Sequence, residues 1–184
     1  MFTKAHSTNQ PSLVHIRKLL SRMERFKYDS SWQEKYRTRS PGTIDRTEAD
    51  SIMCLEAALY FAANVEAIAE ETQLLAIHRA DSEKRECGHC ICVFKVEGLY
   101  GAYSHSNITS LKSLEPEYSS IGSIIEFYIN SYIQSGYKPL YYGLYQLSDL
   151  DEQGGTDWRD TDKDLSIFSK HIIENYQFEL DVSI

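Results

Sequence analysis

The hydrophobic positions of the chain follow two spacings, one typical of helices and one of strands. Apolar residues recur every three or four positions in three stretches, which predicts amphipathic helices. These stretches are 12–26, 51–69 and the part of 113–133 that follows Pro116. Four others alternate or are continuously apolar, which predicts strands. These are 72–80, 87–98, 99–106 and 138–147. Helices followed by antiparallel strands indicate an α+β fold, with the 51–69 helix packed on the sheet.

The clearest strand is "CGHCICVFKVEG", 87–98. Its alternation places His89 and Ile91 on one face and Cys90 and Cys92 on the other. Glu97-Gly98 predicts a tight turn, so that 99–106 returns antiparallel to it.

The length and the order of elements favour one domain over residues 1–184. A polar, partly helical arm occupies 1–50, and the core occupies 51–147. An acidic, glycine-containing loop and a C-terminal helix, expected at 165–178, complete the chain over 148–184.

Charge and composition exclude several classes of protein. Hydrophobic residues make up 42%, enough for a core, and the net charge of −8 argues against binding to nucleic acid. No apolar run approaches the roughly 20 residues of a membrane span, and "MFTKAHSTNQPS" lacks the apolar core of a signal peptide. We therefore expect a cytoplasmic protein that binds neither nucleic acid nor membrane.

The four cysteines, which we expect to be free thiols, raise the question of chemistry. Cys54 falls in the first turn of the 51–69 helix, which Asp50 or Ser51 could cap. A cysteine there can be a packing residue, or a nucleophile whose thiolate the helix dipole favours. In the second case its pKa should lie below about 8.5, and it should be the most reactive of the four. Glu56, in the same turn, is expected to stabilise the helix start.

A thiol nucleophile needs a base and a group that orients the base. His89, near the start of its strand, can be the base, and its imidazole should then lie within about 4 Å of the Cys54 sulfur. The hairpin brings Ser104 and Asn107 back toward His89. Asn107 is the preferred orienting residue because its amide oxygen can accept the imidazole N–H, whereas Ser104 needs a bulge that shifts the register.

In these residues the chain resembles small bacterial transglutaminase-like proteins of the papain superfamily. The resemblance covers about residues 39 to 147 and rests on an ordered set of fragments. They are "CLEAAL" at 54–59, "HCICVF" at 89–94, "GLYGAYSHSN" at 98–107, "EPEY" at 115–118 and "NSY" at 130–132.

The resemblance implies a papain-like, transglutaminase-like core without a cofactor or a metal, acting on a protein or peptide. Cys54 would form a thioester with the substrate acyl group, and His89 would be the base, in amide hydrolysis or acyl transfer. The larger family places an Asp about fifteen residues after the His, and here that position holds Ser104. The backbone N–H of Cys54 would serve in the oxyanion hole, with Gln33 or Trp32 as second donor.

Two other interpretations stay open. A non-catalytic interaction module could retain the same fold, which the missing Asp favours. A small zinc site could use Cys87 and Cys90, whose spacing suits zinc. The zinc hypothesis is weakened by the absence of a second such pair and by alternation, which puts the two thiols on opposite faces of the strand.

Overall fold

The structure is a computed structural model, and it describes residues 11–29, 38–148, 158–159 and 178–180. The helices described are α1 (Pro11–Met23), α2 (Pro41–Arg46), α3 (Cys54–Val65) and α4 (Ile121–Gln134). The strands described are β1 (Lys27–Tyr28), β2 (Ser51–Ile52), β3 (Glu71–Ala80), β4 (Glu86–Val96), β5 (Leu99–Ser104), β6 (Leu114–Tyr118), β7 (Lys138–Gln146) and β8 (Phe178–Glu179).

Six of these strands form one antiparallel sheet in the order β6-β5-β4-β3-β7-β8. The short strands β1 and β2 form a separate two-stranded parallel sheet, and β2 immediately precedes α3. The predicted α+β class, with a helix packed on an antiparallel sheet, is confirmed.

The sheet separates two hydrophobic cores, one under α3 and one under α4. The α3 core contains Cys90, Cys92 and Phe94 of β4, together with residues of α1 and α2. The α4 core contains Ile91 and Val93, the alternate residues of the same strand. The alternation predicted for β4 is therefore confirmed, and the two faces of the strand meet different helices.

The predicted and observed elements differ most clearly at the start of α3 and at β6. The helix predicted over 51–69 begins at Cys54, because Ser51 and Ile52 form β2, and its N-cap is Met53 rather than Asp50 or Ser51. Strand β6 was not predicted. Pro116 lies within it, and proline is tolerated because β6 is at the edge of the sheet as described.

The end of the chain is described only in part. The acidic loop from 149 onward, apart from residues 158–159, lies outside the described residues, as does the helix predicted over 165–178 except for its last residue. Phe178 belongs to β8, which pairs with β7. No helix in the described ranges is long and apolar enough to cross a membrane.

Candidate active site

The start of α3 is fixed by a buried carboxylate. Glu56, only 2% exposed, accepts the backbone N–H of Met53 at 3.1 Å. It also forms a salt bridge with Arg39 at 2.8 Å and accepts the backbone N–H of Arg39 at 2.9 Å. Arg39 in turn donates to the carbonyl of Ser51, the residue that begins β2. The segment before α2 is thereby attached to the first turn that carries Cys54, and Glu56 has the structural role expected of it.

Cys54 is the first residue of α3 and is half-buried. Burial raises the pKa of its thiol, although the backbone N–H groups of Cys90, Leu55 and Cys54 itself oppose the rise by favouring the thiolate. The expectation of a pKa below the ordinary value was wrong. The helix start does supply N–H donors, but the loss of water around the sulfur outweighs them.

These contacts place the Cys54 thiol beside β4. Cys90 directly follows His89 in the chain. It is one residue before Ile91, the first residue of β4 that pairs with β5. The thiol thus lies where β5 leaves the sheet. The predicted approach of the Cys54 sulfur to an imidazole nitrogen of His89 stays a prediction.

His89 lies on β4 and is 5% exposed. Its Nε2 is hydrogen-bonded to Oγ of Ser104, at 2.9 Å. Burial first, and then the nearby positive charges of Arg79 and His105, together lower the pKa of the imidazole to about 3. The ring is therefore neutral at pH 7, and Nδ1 is the nitrogen that Ser104 does not occupy.

Ser104, at the end of β5, reaches His89 without a bulge. The register between β4 and β5 is regular from Val96↔Leu99 to Ile91↔Ser104. Ser104 therefore lies diagonally opposite His89 on the same face of the sheet, within reach of a long side chain. The expectation that Ser104 needed a register shift was wrong, because it counted only directly opposite pairs.

The remaining predicted site residues are less closely placed. Asn107 is exposed in the loop after β5, while Nε2 of His89 is bonded to Ser104. Gln33 and Trp32 lie outside the described residues. The backbone N–H of Cys54 is at the open end of α3, where oxyanion-hole donors can lie. The catalytic roles of all these residues stay predictions.

The other three thiols have different surroundings. Cys90 and Cys92 are buried in the α3 core, and burial raises the pKa of both. Cys87 is half-buried, beside Arg79 across the strand pair. Among the residues that the structure describes, no three His, Cys, Asp or Glu side chains are grouped as metal ligands.

Sequence reasoning missed Arg79 and Tyr128, which lie close to His89 and Ser104. Arg79 is opposite Cys87 in β3, and its guanidinium lies 4.0 Å from the ring centroid of Tyr137. Tyr128 of α4 is buried, and its hydroxyl donates to the carbonyl of Lys112 at 2.9 Å. The pairing of two adjacent predicted strands could have indicated Arg79. No local signal indicates Tyr128, whose position depends on how α4 packs across the sheet.

Neither a protein-family model nor a curated protein matches the sequence. Similar solved structures include Legionella pneumophila LapG, with a TM-score of 0.41 and 15% identity over 79% of this chain and 75% of that chain. EGTA-treated Legionella pneumophila LapG has a TM-score of 0.41 and 16% identity over 82% of this chain and 77% of that chain. These values do not identify a family.

Proposed function

We propose that this protein is a cysteine-dependent acyl transferase or amide hydrolase with a papain-like, transglutaminase-like core. A peptide or protein is the proposed substrate, and the cytoplasm is the proposed location. The observation that carries the proposal is the buried hydrogen bond between Nε2 of His89 and Oγ of Ser104. It orients an imidazole on the strand beside which the Cys54 thiol lies at the start of a helix.

In the first step the thiol proton moves to Nδ1 of His89, and the sulfur attacks the substrate carbonyl. Burial favours the uncharged forms of both Cys54 and His89. The resting pair is therefore a neutral thiol and a neutral imidazole, and the proton moves as the carbon–sulfur bond forms. The backbone N–H of Cys54 is the proposed donor to the oxygen that becomes negatively charged.

In the second step His89 returns the proton to the leaving amine, and a thioester to Cys54 remains. Water or a second amine then attacks that thioester, and the proton of the attacking group passes to Nδ1. The carbon–sulfur bond breaks, the product leaves, and His89 returns the proton to the sulfur of Cys54. Hydrolysis and acyl transfer differ only in this second nucleophile. The side chains of Cys54, His89 and Ser104 would therefore serve both reactions.

A specific observation favours a second candidate, a non-catalytic interaction module. Ser104 is neutral, and a hydroxyl cannot balance the charge of an imidazolium as a carboxylate does. The pKa of His89, lowered to about 3, shows how strongly this environment disfavours the charged ring. A protein retained for binding alone would keep the fold without needing that charge.

Reaction with p-nitrophenyl acetate tests the proposal without knowledge of the natural substrate. We expect a burst of p-nitrophenolate that approaches one equivalent per chain, with the acetyl group on Cys54 by peptide mapping. Cys54→Ala should abolish the burst, and His89→Ala should slow it by roughly 10²-fold or more, the usual contribution of a general base.

Cys87→Ser is the matched control, because Cys87 is the other half-buried thiol of the described residues. It should leave the burst unchanged. Acetylation spread over Cys54 and Cys87, or a burst that survives Cys54→Ala, would refute the proposal. No burst at all from folded protein would favour the interaction module.

A further inference from the structure

Arg79 lies in β3 on the same face of the sheet as His89, and diagonally across the strand pair from it. The register pairs Arg79 with Cys87 and Ile77 with His89. Diagonal neighbours on one face of a sheet are within reach of a long side chain. After burial, the positive charge of Arg79 is the next cause that lowers the pKa of His89, which agrees with this position. The charge of Arg79 therefore acts at the candidate active site.

Two tyrosine rings hold the guanidinium of Arg79. Its central carbon lies 4.0 Å from the ring centroid of Tyr137 and 5.3 Å from that of Tyr132. The two rings also contact each other edge to face, with their centroids 6.2 Å apart. A guanidinium that packs on aromatic faces keeps its N–H groups free to donate in its own plane. The rings therefore orient Arg79 without using its hydrogen-bond donors.

Arg79 has no carboxylate partner among the described residues, whereas Arg17 and Arg39 form salt bridges at 2.8 Å. Its Nε is buried without a hydrogen-bond partner, and so is the hydroxyl of Tyr132, a fully buried residue. Buried polar groups normally have partners, because the loss of water is unfavourable. Arg79 as a whole is half-buried, so its two terminal nitrogens are accessible. It is a cation oriented for an anion that the described residues do not supply.

A carboxylate is the anion that fits this group. Two parallel N–H groups of a planar guanidinium bind the two oxygens of a carboxylate bidentately. We infer that Arg79 binds a carboxylate of the substrate, close to the carbonyl that Cys54 would attack. Placing this carboxylate on a substrate rests on the proposed function. In a peptide it belongs either to an acidic side chain on the acyl side or to the leaving group, including a C-terminal end.

The first test is binding, measured by nuclear magnetic resonance on full-length protein labelled with ¹⁵N-arginine. The Nε–H signal of Arg79 is assigned by its loss in Arg79→Lys. We expect N-acetylglutamate α-amide to shift this signal saturably, and the uncharged N-acetylglutamine amide to leave it in place. Arg85, which is mostly exposed and already bonded to Asp81, is the internal control and should show no saturable shift.

The second test asks whether the carboxylate belongs to the substrate and to which part. Acylation of Cys54 is compared within two pairs of esters of similar shape, after subtraction of the uncatalysed reaction. The p-nitrophenyl esters of N-acetylglutamate and N-acetylglutamine place the charge on the acyl side. The acetate esters 3-acetoxybenzoate and 3-acetoxybenzamide place it on the leaving group. In one pair the charged ester should react about tenfold faster or more, as expected for hydrogen bonds to a charged group.

Arg79→Gln should bring that ratio of rates close to one. Arg85→Gln is the matched control, a surface arginine of the same hairpin, and should keep the wild-type ratio. Should Arg79→Gln fail to fold, Arg79→Lys keeps the charge but not the paired N–H groups, and it should lose most of the preference.

The outcomes separate this inference from the proposed function. If no ester acylates Cys54 but the Arg79 signal shifts saturably with the carboxylate alone, the carboxylate site stands and the enzyme proposal fails. If Cys54 reacts and the Arg79 signal does not move, or moves equally with the uncharged amide, the inference is wrong and the enzyme proposal stands. Saturable binding without a preference in either pair of esters would also overturn the inference, because the carboxylate would then not belong to the substrate.

Discussion

The side chain hydrogen-bonded to His89 is a serine, Ser104, and not a carboxylate. The hydroxyl of Ser104 can orient the imidazole through its hydrogen bond, at 2.9 Å, but it brings no negative charge. The pKa of His89 is accordingly lowered to about 3 by burial and by the positive charges of Arg79 and His105. At the scale of single residues, Ser104 can therefore orient the imidazole of His89, but it does not balance the positive charge of the protonated ring.

Ser104→Asp should provide both the orientation of the His89 ring and the negative charge that balances it. A carboxylate beside Nε2 favours the imidazolium, so the pKa of His89 should rise toward its ordinary value. At the proposed distance from Cys54, that imidazolium should favour the thiolate. We expect alkylation of Cys54 by iodoacetamide at pH 7 to become about tenfold faster or more. Peptide mapping after limited labelling measures the rate at each thiol.

Ser104→Asn is the control, because its side chain has nearly the same shape as that of Asp but no charge. It should leave the alkylation rate within a few-fold of the wild type. Equal acceleration by Asn and Asp would mean that side-chain volume, rather than charge, controls the reactivity of Cys54.

At the scale of elements, the position of Cys54 depends on how α3 begins. The helix starts without a Ser, Thr, Asp or Asn at its N-cap, which is Met53. Its first turn is held instead by Glu56, which accepts from Met53 and from Arg39. A buried carboxylate with a partner in another segment thus replaces a local cap.

Arg39→Ala should destabilise the fold by about 3 kcal/mol, near the lower end for breaking a buried ion pair because Arg39 itself is partly exposed. The loss arises from leaving the carboxylate of Glu56 buried and unpaired. Urea unfolding followed by circular dichroism gives the free energy of unfolding.

Arg17→Ala provides a comparison within the same protein. Arg17 also forms a salt bridge at 2.8 Å, with Glu115, but both side chains are more than 40% exposed. Its removal should lower the free energy of unfolding by less than about 1 kcal/mol. Equal losses for Arg39→Ala and Arg17→Ala would contradict the structural role given to Glu56.

For the whole molecule, the buried imidazole couples stability to pH. The pKa of His89 is about 3 in the folded protein, against about 6.5 in an unfolded chain. The unfolded state therefore binds more protons between these values, and the free energy of unfolding falls as the pH falls through 6.5 toward 3. Burial also lowers the pKa of His105, which acts in the same direction.

Between pH 7 and pH 5 we expect a loss of about 2 kcal/mol from His89, since 1.36 kcal/mol corresponds to one pH unit within this window. Urea unfolding across this range measures it. His89→Gln should remove this contribution to the pH dependence of the free energy of unfolding, because its amide can still form a hydrogen bond with Ser104 but does not titrate. His15→Gln, at an exposed position, is the control and should keep the wild-type dependence of the unfolding free energy on pH. If that dependence persists in His89→Gln, groups other than His89 cause it.

The sequence by itself determined the elements that carry the site. Alternation in 87–98 placed Cys90 and His89 on opposite faces of β4, and the Glu97-Gly98 turn fixed the return of β5. Both features follow from the two-residue period of a strand and from local turn geometry, which depend on neighbours along the chain. The α+β class follows from the same patterns.

Only the tertiary structure decided what surrounds those elements. Helix-dipole reasoning predicted a lowered pKa for Cys54, but the packing around its sulfur removes water and raises the pKa. Counting only directly opposite residues of β4 and β5 favoured Asn107 as the residue that orients His89. Ser104 reaches His89 instead from the diagonal position. Desolvation and contacts between distant elements depend on three-dimensional neighbours, and the spacing of residues in a sequence does not contain them.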